Sequence, residues 1–306
     1  MCGIVGFMDK RDRPSFPIGR ILLSMLEALA RRGPDGAGLA LLRESHARNV
    51  WHVRVSLNGG ELDFKTIEPL GRTDQDAAAR QGETIRFSFT PNPGVTVAQL
   101  ETALELSHGR AHVVCIGERL DLVKQVGSPK ALEATYGISS WNGPLAIGHT
   151  RMSTESKIDL DHSQPFWAHG LADLASVHNG HITNYHTLRR HYEQKNVRFT
   201  TDNDSEVIGV YLRDRLERGR SLIDAMSDSL DDLDGSFNYL VASPQGLGFV
   251  RDRHGFKPLM VAETDDFVAV ATEEQALRQA LPGEYRVTER SPGLAFFYPT
   301  SVRALA

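Results

Sequence analysis

The chain has 306 residues, 41% hydrophobic and 24% charged, and its 34 Lys and Arg against 39 Asp and Glu give a formal net charge of −5. That length and polarity suit a globular protein that buries a large core without disulfides or metals, and the mild acidity argues against a nucleic-acid binder. No apolar run approaches the ~18 residues of a membrane span, and the Met1–Phe7 start lacks the basic and long apolar regions of a signal peptide. A soluble, cytoplasmic protein is expected. At ~150 residues per domain, the length fits two domains or one large domain with an insertion.

Residues 2–8 mix apolar and small side chains and predict a buried strand. Ile18, Ile21, Leu22, Met25, Leu26 and Leu29 then recur at the spacing of a core-facing helix. Gly33, Pro34, Gly36 and Gly38 break it, and strands are predicted at Ala37–Leu42 and Val50–Leu57. From about 58 to 143 the chain becomes polar and Gly-containing. There a strand at Thr84–Phe89, a helix at Val97–Leu106, a strand at Ala111–Ile116 and a helix near Pro129–Tyr136 read as an inserted α/β subdomain. Strands return at Leu145–Arg151 and Leu174–His178. Asn184 is placed to cap a helix running to about Gln194. A second helix is predicted at Asp202–Arg218. The remainder alternates strands at Ser236–Ala242, Leu247–Arg251, Leu259–Ala262 and Phe267–Ala271 with a short helix at Glu273–Ala280, then a final pair near Tyr285–Tyr298. Strands interleaved with paired helices predict α+β layers.

Two cysteines cannot form a disulfide framework or a cysteine-based zinc site. Cys115 sits in an apolar run and reads as an inert buried thiol. Cys2 follows the initiator Met, and a small residue there permits removal of that Met. Cys2 would then carry a thiol beside an α-amine whose ordinary pKa of ~7.7–8.0 leaves part of it neutral near pH 7. Such an amine can take the thiol proton and return it to a leaving amine, with no histidine required. The motifs of phosphate-binding loops, dinucleotide folds, zinc proteases and serine hydrolases are absent. His178 and His181 lie three apart with no carboxylate or cysteine adjacent in sequence, so no metal site is expected.

Cys2-Gly3-Ile4-Val5-Gly6 and Arg32-Gly33-Pro34-Asp35-Gly36-Ala37-Gly38 resemble the opening of the class II glutamine amidotransferases. Gly148-His149-Thr150-Arg151-Met152-Ser153-Thr154, His178-Asn179-Gly180-His181-Ile182-Thr183-Asn184 and Asp204-Ser205-Glu206 follow in that family's order. Asp234-Gly235, Arg251-Asp252 and Gly255-Phe256-Lys257-Pro258-Leu259 complete it. The resemblance covers essentially the whole chain and implies a four-layer αββα N-terminal-nucleophile hydrolase sandwich over residues 2–306, with the insertion at about 58–143. It also implies roles: Cys2 as nucleophile, the Asn179 side chain and Gly180 N–H as oxyanion donors, and Arg151, Thr154 and Asp204 as the site for a free amino acid. Arg32 and Asp35 would pin the nucleophile strand. Glu155 and Lys257 depart from the residues more frequent in the family.

The chain looks most like the free-standing amidotransferase subunits related to the first domain of glutamate synthase, including the first subunit of N-methylglutamate synthase. That subgroup implies L-glutamine as substrate, no cofactor in this chain, and a hetero-oligomer whose partner subunits carry flavin and an iron–sulfur cluster. A stand-alone γ-glutamyl amidohydrolase and an assembly or regulatory subunit with a silent site are the alternatives.

Overall fold

Both edges of the first strand are occupied and both its faces are covered, so Gly3–Asp9 is buried at every residue. The computed structural model describes residues 2–11, 13–44, 49–57, 60–107, 112–153 and 157–300. In chain order, β1 (Gly3–Asp9), α1 (Ile18–Ala28), β2 (Gly36–Leu42) and β3 (Trp51–Ser56) come first. The short β4 (Gly71–Thr73) and β5 (Ala79–Gln81) precede β6 (Thr84–Pro91), α2 (Val97–Ser107), β7 (His112–Gly117), β8 (Leu120–Val126) and α3 (Pro129–Tyr136). Next are β9 (Leu145–Arg151), β10 (Phe166–Trp167), β11 (Ala175–Ile182), α4 (Tyr185–Glu193), α5 (Glu206–Glu217) and α6 (Leu222–Asp232). The last are β12 (Gly235–Ser243), β13 (Gly246–Arg251), β14 (Met260–Glu263), β15 (Phe267–Ala271), α7 (Glu274–Ala280), β16 (Val287–Glu289) and β17 (Leu294–Pro299).

One sheet has seven strands in the order β16-β14-β15-β1-β9-β2-β8, and a second has five in the order β10-β11-β12-β13-β17. Ile4, Ile147, Val177, Leu240, Leu247 and Phe249 belong to the core that joins them. Helices α1, α3 and α7 cover the outer face of the larger sheet through Leu22, Met25, Leu26, Leu132 and Leu277. Helices α4, α5 and α6 cover the smaller one through Tyr192, Val207, Tyr211 and Met226. The four layers are the αββα sandwich of the N-terminal-nucleophile hydrolases, as the resemblance implies.

Two differences from the sequence reading have local causes. The extra sheet, β4-β6-β3-β7 with β5 on β6, begins at Trp51 and ends at Gly117. It therefore does not coincide with 58–143. Strand β8 returns to the main sandwich and pairs with β2 from Gly36↔Val126 to Leu42↔Leu120, because Leu120, Leu122 and Val123 have cores on both faces. Helix α6 was not expected, although Ser221 caps it by accepting from the Asp224 N–H at 3.2 Å and Leu222, Ala225 and Met226 carry its buried face. Cys115 is buried as predicted, and burial pushes its thiol up to about 12.

Candidate active site

Cys2 stands immediately before β1, on the central strand of the larger sheet. Antiparallel pairing of Gly3 with Thr150 sets it beside the end of β9, where the Met152 N–H lies 3.3 Å from Sγ and the Met152 carbonyl 3.6 Å. The Cys2 carbonyl accepts from Asn179 Nδ2 at 3.0 Å and Arg32 Nε at 3.4 Å. Two of the residues singled out in sequence thus hold the backbone of a third. Arg32 is itself held by an ion pair with Glu273, which precedes α7. Asp35 does something different from what was expected. Its carboxylate accepts from the Ser153 N–H at 2.8 Å and its own N–H donates to the Arg151 carbonyl at 2.9 Å. It fixes the chain leaving β9 rather than β1.

Asn179 and Gly180 lie within β11, which runs to Ile182, and pair with Asn238 and Phe237 of β12. Gly180 has φ +133°, and a Cβ there would stand 2.1 Å from the Ser236 carbonyl oxygen. Only glycine fits, so its N–H direction is set by the sheet. The carboxamide nitrogen of Asn179 carries two hydrogens. One holds the Cys2 carbonyl.

Arg151 ends β9 and is 4% exposed. Burial pulls its guanidinium down, while Asp159, Cys2 and Asp35 act in the opposite sense. Asp204 stands just before α5. The cap residue of α5 is Ser205, and the Asp204 carboxylate accepts from the Ile182 N–H at 2.8 Å. It also lies 3.6 Å from His181 Nδ1 and 3.9 Å from His178 Nδ1, so the carboxylate lacking in sequence around those histidines is supplied by folding. Burial, with His181 and Lys257 adding to it, pushes His178 down and favours its neutral form. His149 is fully buried and is pushed down to about 3 by burial, His178 and Arg151.

Cys2, Arg151, Asn179, Gly180, Asp204 and Lys257 share one cavity of about 560 Å³. A cation on one part of the wall and a carboxylate on another, with a thiol between two strand ends, suit a small zwitterion carrying a reactive group. Thr154 lies outside the described residues, as does Glu155. Gln164, which lines the same cavity, escaped the sequence reading. Its only signal is a polar residue directly before the apolar Pro165-Phe166-Trp167 run. Among the described residues, Glu101, Glu105 and His169 are the group close enough to hold an ion. They are not part of the cavity lining, and His169 Nδ1 is hydrogen-bonded to Glu101 Oε1 at 2.5 Å. No helix among the described residues is long and apolar enough to cross a membrane.

The chain is similar to known proteins along nearly its whole length. Residues 149–279 match the family model of a glutamine amidotransferase domain. A protein of Methanothermobacter thermautotrophicus provisionally described as a glutamine amidotransferase is 35% identical over 94% of this chain and 100% of its own length. Glutamine amidotransferase-like protein GlxB of Rhizobium meliloti is 33% identical over 97% of this chain and 98% of its own. The solved glutamine phosphoribosylpyrophosphate amidotransferase of B. subtilis shares the fold at a TM-score of 0.61 and 20% identity, covering 99% of this chain. This chain spans 50% of that structure's length. Relatives matched from end to end decide the family that the fold allows: the chain belongs to the class II glutamine amidotransferases.

Proposed function

We propose that this chain hydrolyses L-glutamine to glutamate and ammonia through a thioester on Cys2, and that the ammonia passes to a separate, glutamate synthase-like partner. The observation that carries the first half is the placing of the Cys2 thiol, the Arg151 guanidinium and the Asp204 carboxylate on one cavity. Arg151 binds the substrate α-carboxylate as a planar fork, Thr154 is assigned to substrate binding, and Asp204 binds the α-ammonium. Cys2 Sγ attacks the side-chain carboxamide carbon while the α-amine of Cys2, exposed by removal of Met1, takes the thiol proton. The negative oxygen that forms is held by Asn179 Nδ2 and the Gly180 N–H. The tetrahedral carbon then expels ammonia, which takes the proton back. Water attacks the resulting thioester, releasing glutamate and restoring the thiol. Arg32 keeps the Cys2 carbonyl, and so the nucleophile, in register.

Support for an acceptor on a separate protein comes from the relatives themselves, two of which are amidotransferase domains over their own full length. This chain accounts for 100% and 98% of the two relatives matched end to end, but only 33% of an amidophosphoribosyltransferase from Archaeoglobus fulgidus. We read residues 2–306 as one amidotransferase domain with the extra sheet as its insertion. Flavin and iron–sulfur chemistry are assigned to the partner subunits, with N-methylglutamate synthase the closest candidate assembly. The test compares ammonia release from glutamine by the chain alone and by the chain with its co-expressed synthase-like subunits. The expected result is a faster rate in the complex and transfer of amide nitrogen to product without equilibration with bulk ammonia. Equal rates with full equilibration would make it a stand-alone amidohydrolase.

A further inference from the structure

Gln164 is 5% exposed and makes three hydrogen bonds with its side-chain amide. Its Oε1 accepts from the His178 N–H at 2.6 Å, and its Nε2 donates to the His178 carbonyl at 3.0 Å and to Ser205 Oγ at 3.0 Å. Ser205 Oγ lies 2.8 Å from His178 Nδ1, closing a ring of three residues. The hydroxyl accepts from Gln164 and has both His178 Nδ1 and Asp204 Oδ1 within reach.

The register explains why an amide stands here. Strand β10 pairs Phe166 with Ser176, and continuing that pairing brings Gln164 opposite His178. At that point the ladder is carried by a side chain. A primary carboxamide offers one acceptor and two donors, so it satisfies both edges of the His178 peptide and still reaches Ser205. The Gln164 backbone is fixed from the other sheet. A Cβ on Gly38 of β2 would stand 2.1 Å from the Gln164 carbonyl oxygen and 2.9 Å from Pro165 Cδ, so glycine permits the approach.

Each arm of the ring adjoins a group that the mechanism uses. His178 immediately precedes Asn179 and Gly180. Ser205 follows Asp204, and its Oγ is 3.5 Å from Asp204 Oδ1. We infer that Gln164 is a positioning residue for glutamine hydrolysis, its carboxamide setting the distance between the oxyanion donors of β11 and the carboxylate that binds the substrate ammonium. The inference rests on the proposed hydrolysis at Cys2. It adds that these two halves of the site are not placed independently. A substrate held by its α-groups reaches the oxyanion donors only if that spacing is kept.

The test uses the full chain with its partner subunits, measuring kcat and KM for ammonia release from L-glutamine. Gln164→Met keeps the volume and removes every polar contact. A shift of ~1 Å in a reacting group costs about 100-fold, so a fall in kcat of roughly 10- to 100-fold is expected, with KM raised as well. Gln164→Glu retains the acceptor for the His178 N–H but loses both donors, and its loss should be of the same kind. Ser205→Ala removes the hydroxyl's contacts with Gln164, His178 Nδ1 and Asp204 but leaves both Gln164 bonds to the His178 backbone, so KM rises by more than kcat falls. This split is what a general loss of stability would not produce. Each rate is taken well below the variant's melting temperature. Wild-type kcat and KM in folded Gln164→Met, or equal effects of Ser205→Ala on kcat and KM, would overturn the inference. Absence of glutamine hydrolysis in the wild-type complex would instead overturn the functional reading on which it rests.

Discussion

Asn179→Ala lowers kcat for glutamine hydrolysis by ~10²–10³, the usual cost of losing one oxyanion donor. The effect falls on kcat because the donor meets a charge that exists only in the transition state. The structure adds a second contribution, since the same carboxamide nitrogen holds the Cys2 carbonyl at 3.0 Å and its removal frees the nucleophile's backbone. Arg151→Ala and Asp204→Ala act on groups that the substrate carries in both ground and transition states, so they raise KM more than they lower kcat. Steady-state kinetics of the three variants check this. Similar kcat for Asn179→Ala and the wild type would remove Asn179 from the oxyanion site and leave it a structural clamp.

Asp121→Asn destabilises the protein by about 3–5 kcal/mol, the cost of orphaning one member of a buried ion pair. Asp121 on β8 is 4% exposed, and its Oδ1 is 2.9 Å from Nη2 of Arg54, which is 1% exposed on β3. Arg86 of β6 and Arg43 approach the same carboxylate at 3.3 and 3.4 Å. One buried carboxylate is therefore shared by three guanidinium groups and ties the extra sheet to the main sandwich. Gln81 and Thr84 also accept from Arg54, but they bring no charge. Burial alone would raise the Asp121 carboxyl; Arg54, Arg86 and Arg43 outweigh it and hold the carboxyl below its usual range. With the folded value depressed, the stabilisation is present above the unfolded pKa of ~3.9 and is lost as pH falls through the folded value. Urea unfolding near neutral pH measures the loss. Adding Arg54→Met to Asp121→Asn should recover part of it, because the buried Arg54 charge goes too. A midpoint unchanged by Asp121→Asn would contradict the account of this joint.

Much of the main sandwich could be read from periodicity. The helical spacing of Ile18, Leu22, Met25 and Leu26 and the run opened by Leu145, Ala146 and Ile147 predict α1 and β9 because each element buries a face large enough to set the pattern. Strand β8 was missed because its apolar residues are interrupted by Asp121 and Lys124, whose burial depends on partners distant in sequence. The site shows the same division. Cys2, Asn179, Gly180, Arg151 and Asp204 stand in recognisable blocks, and folding gathers them on one cavity. What the blocks do not carry is who holds whom. Asp35 binds Ser153 and not the nucleophile strand, Arg32 takes Glu273 from 241 residues away, and Gln164 replaces a missing ladder bond. Those contacts arise from sheet register and from the approach of two sheets, neither of which leaves a local pattern.

The measurement closest to the central claim is the intact mass of the purified chain, taken with ammonia release from L-glutamine by the wild type and by Cys2→Ala. The account predicts a mass lacking Met1, ammonia released by the wild type, and none above background from Cys2→Ala. A chain that keeps Met1 blocks the α-amine that serves as base. If it also released no more ammonia than Cys2→Ala, hydrolysis at Cys2 would be contradicted and an assembly subunit would remain.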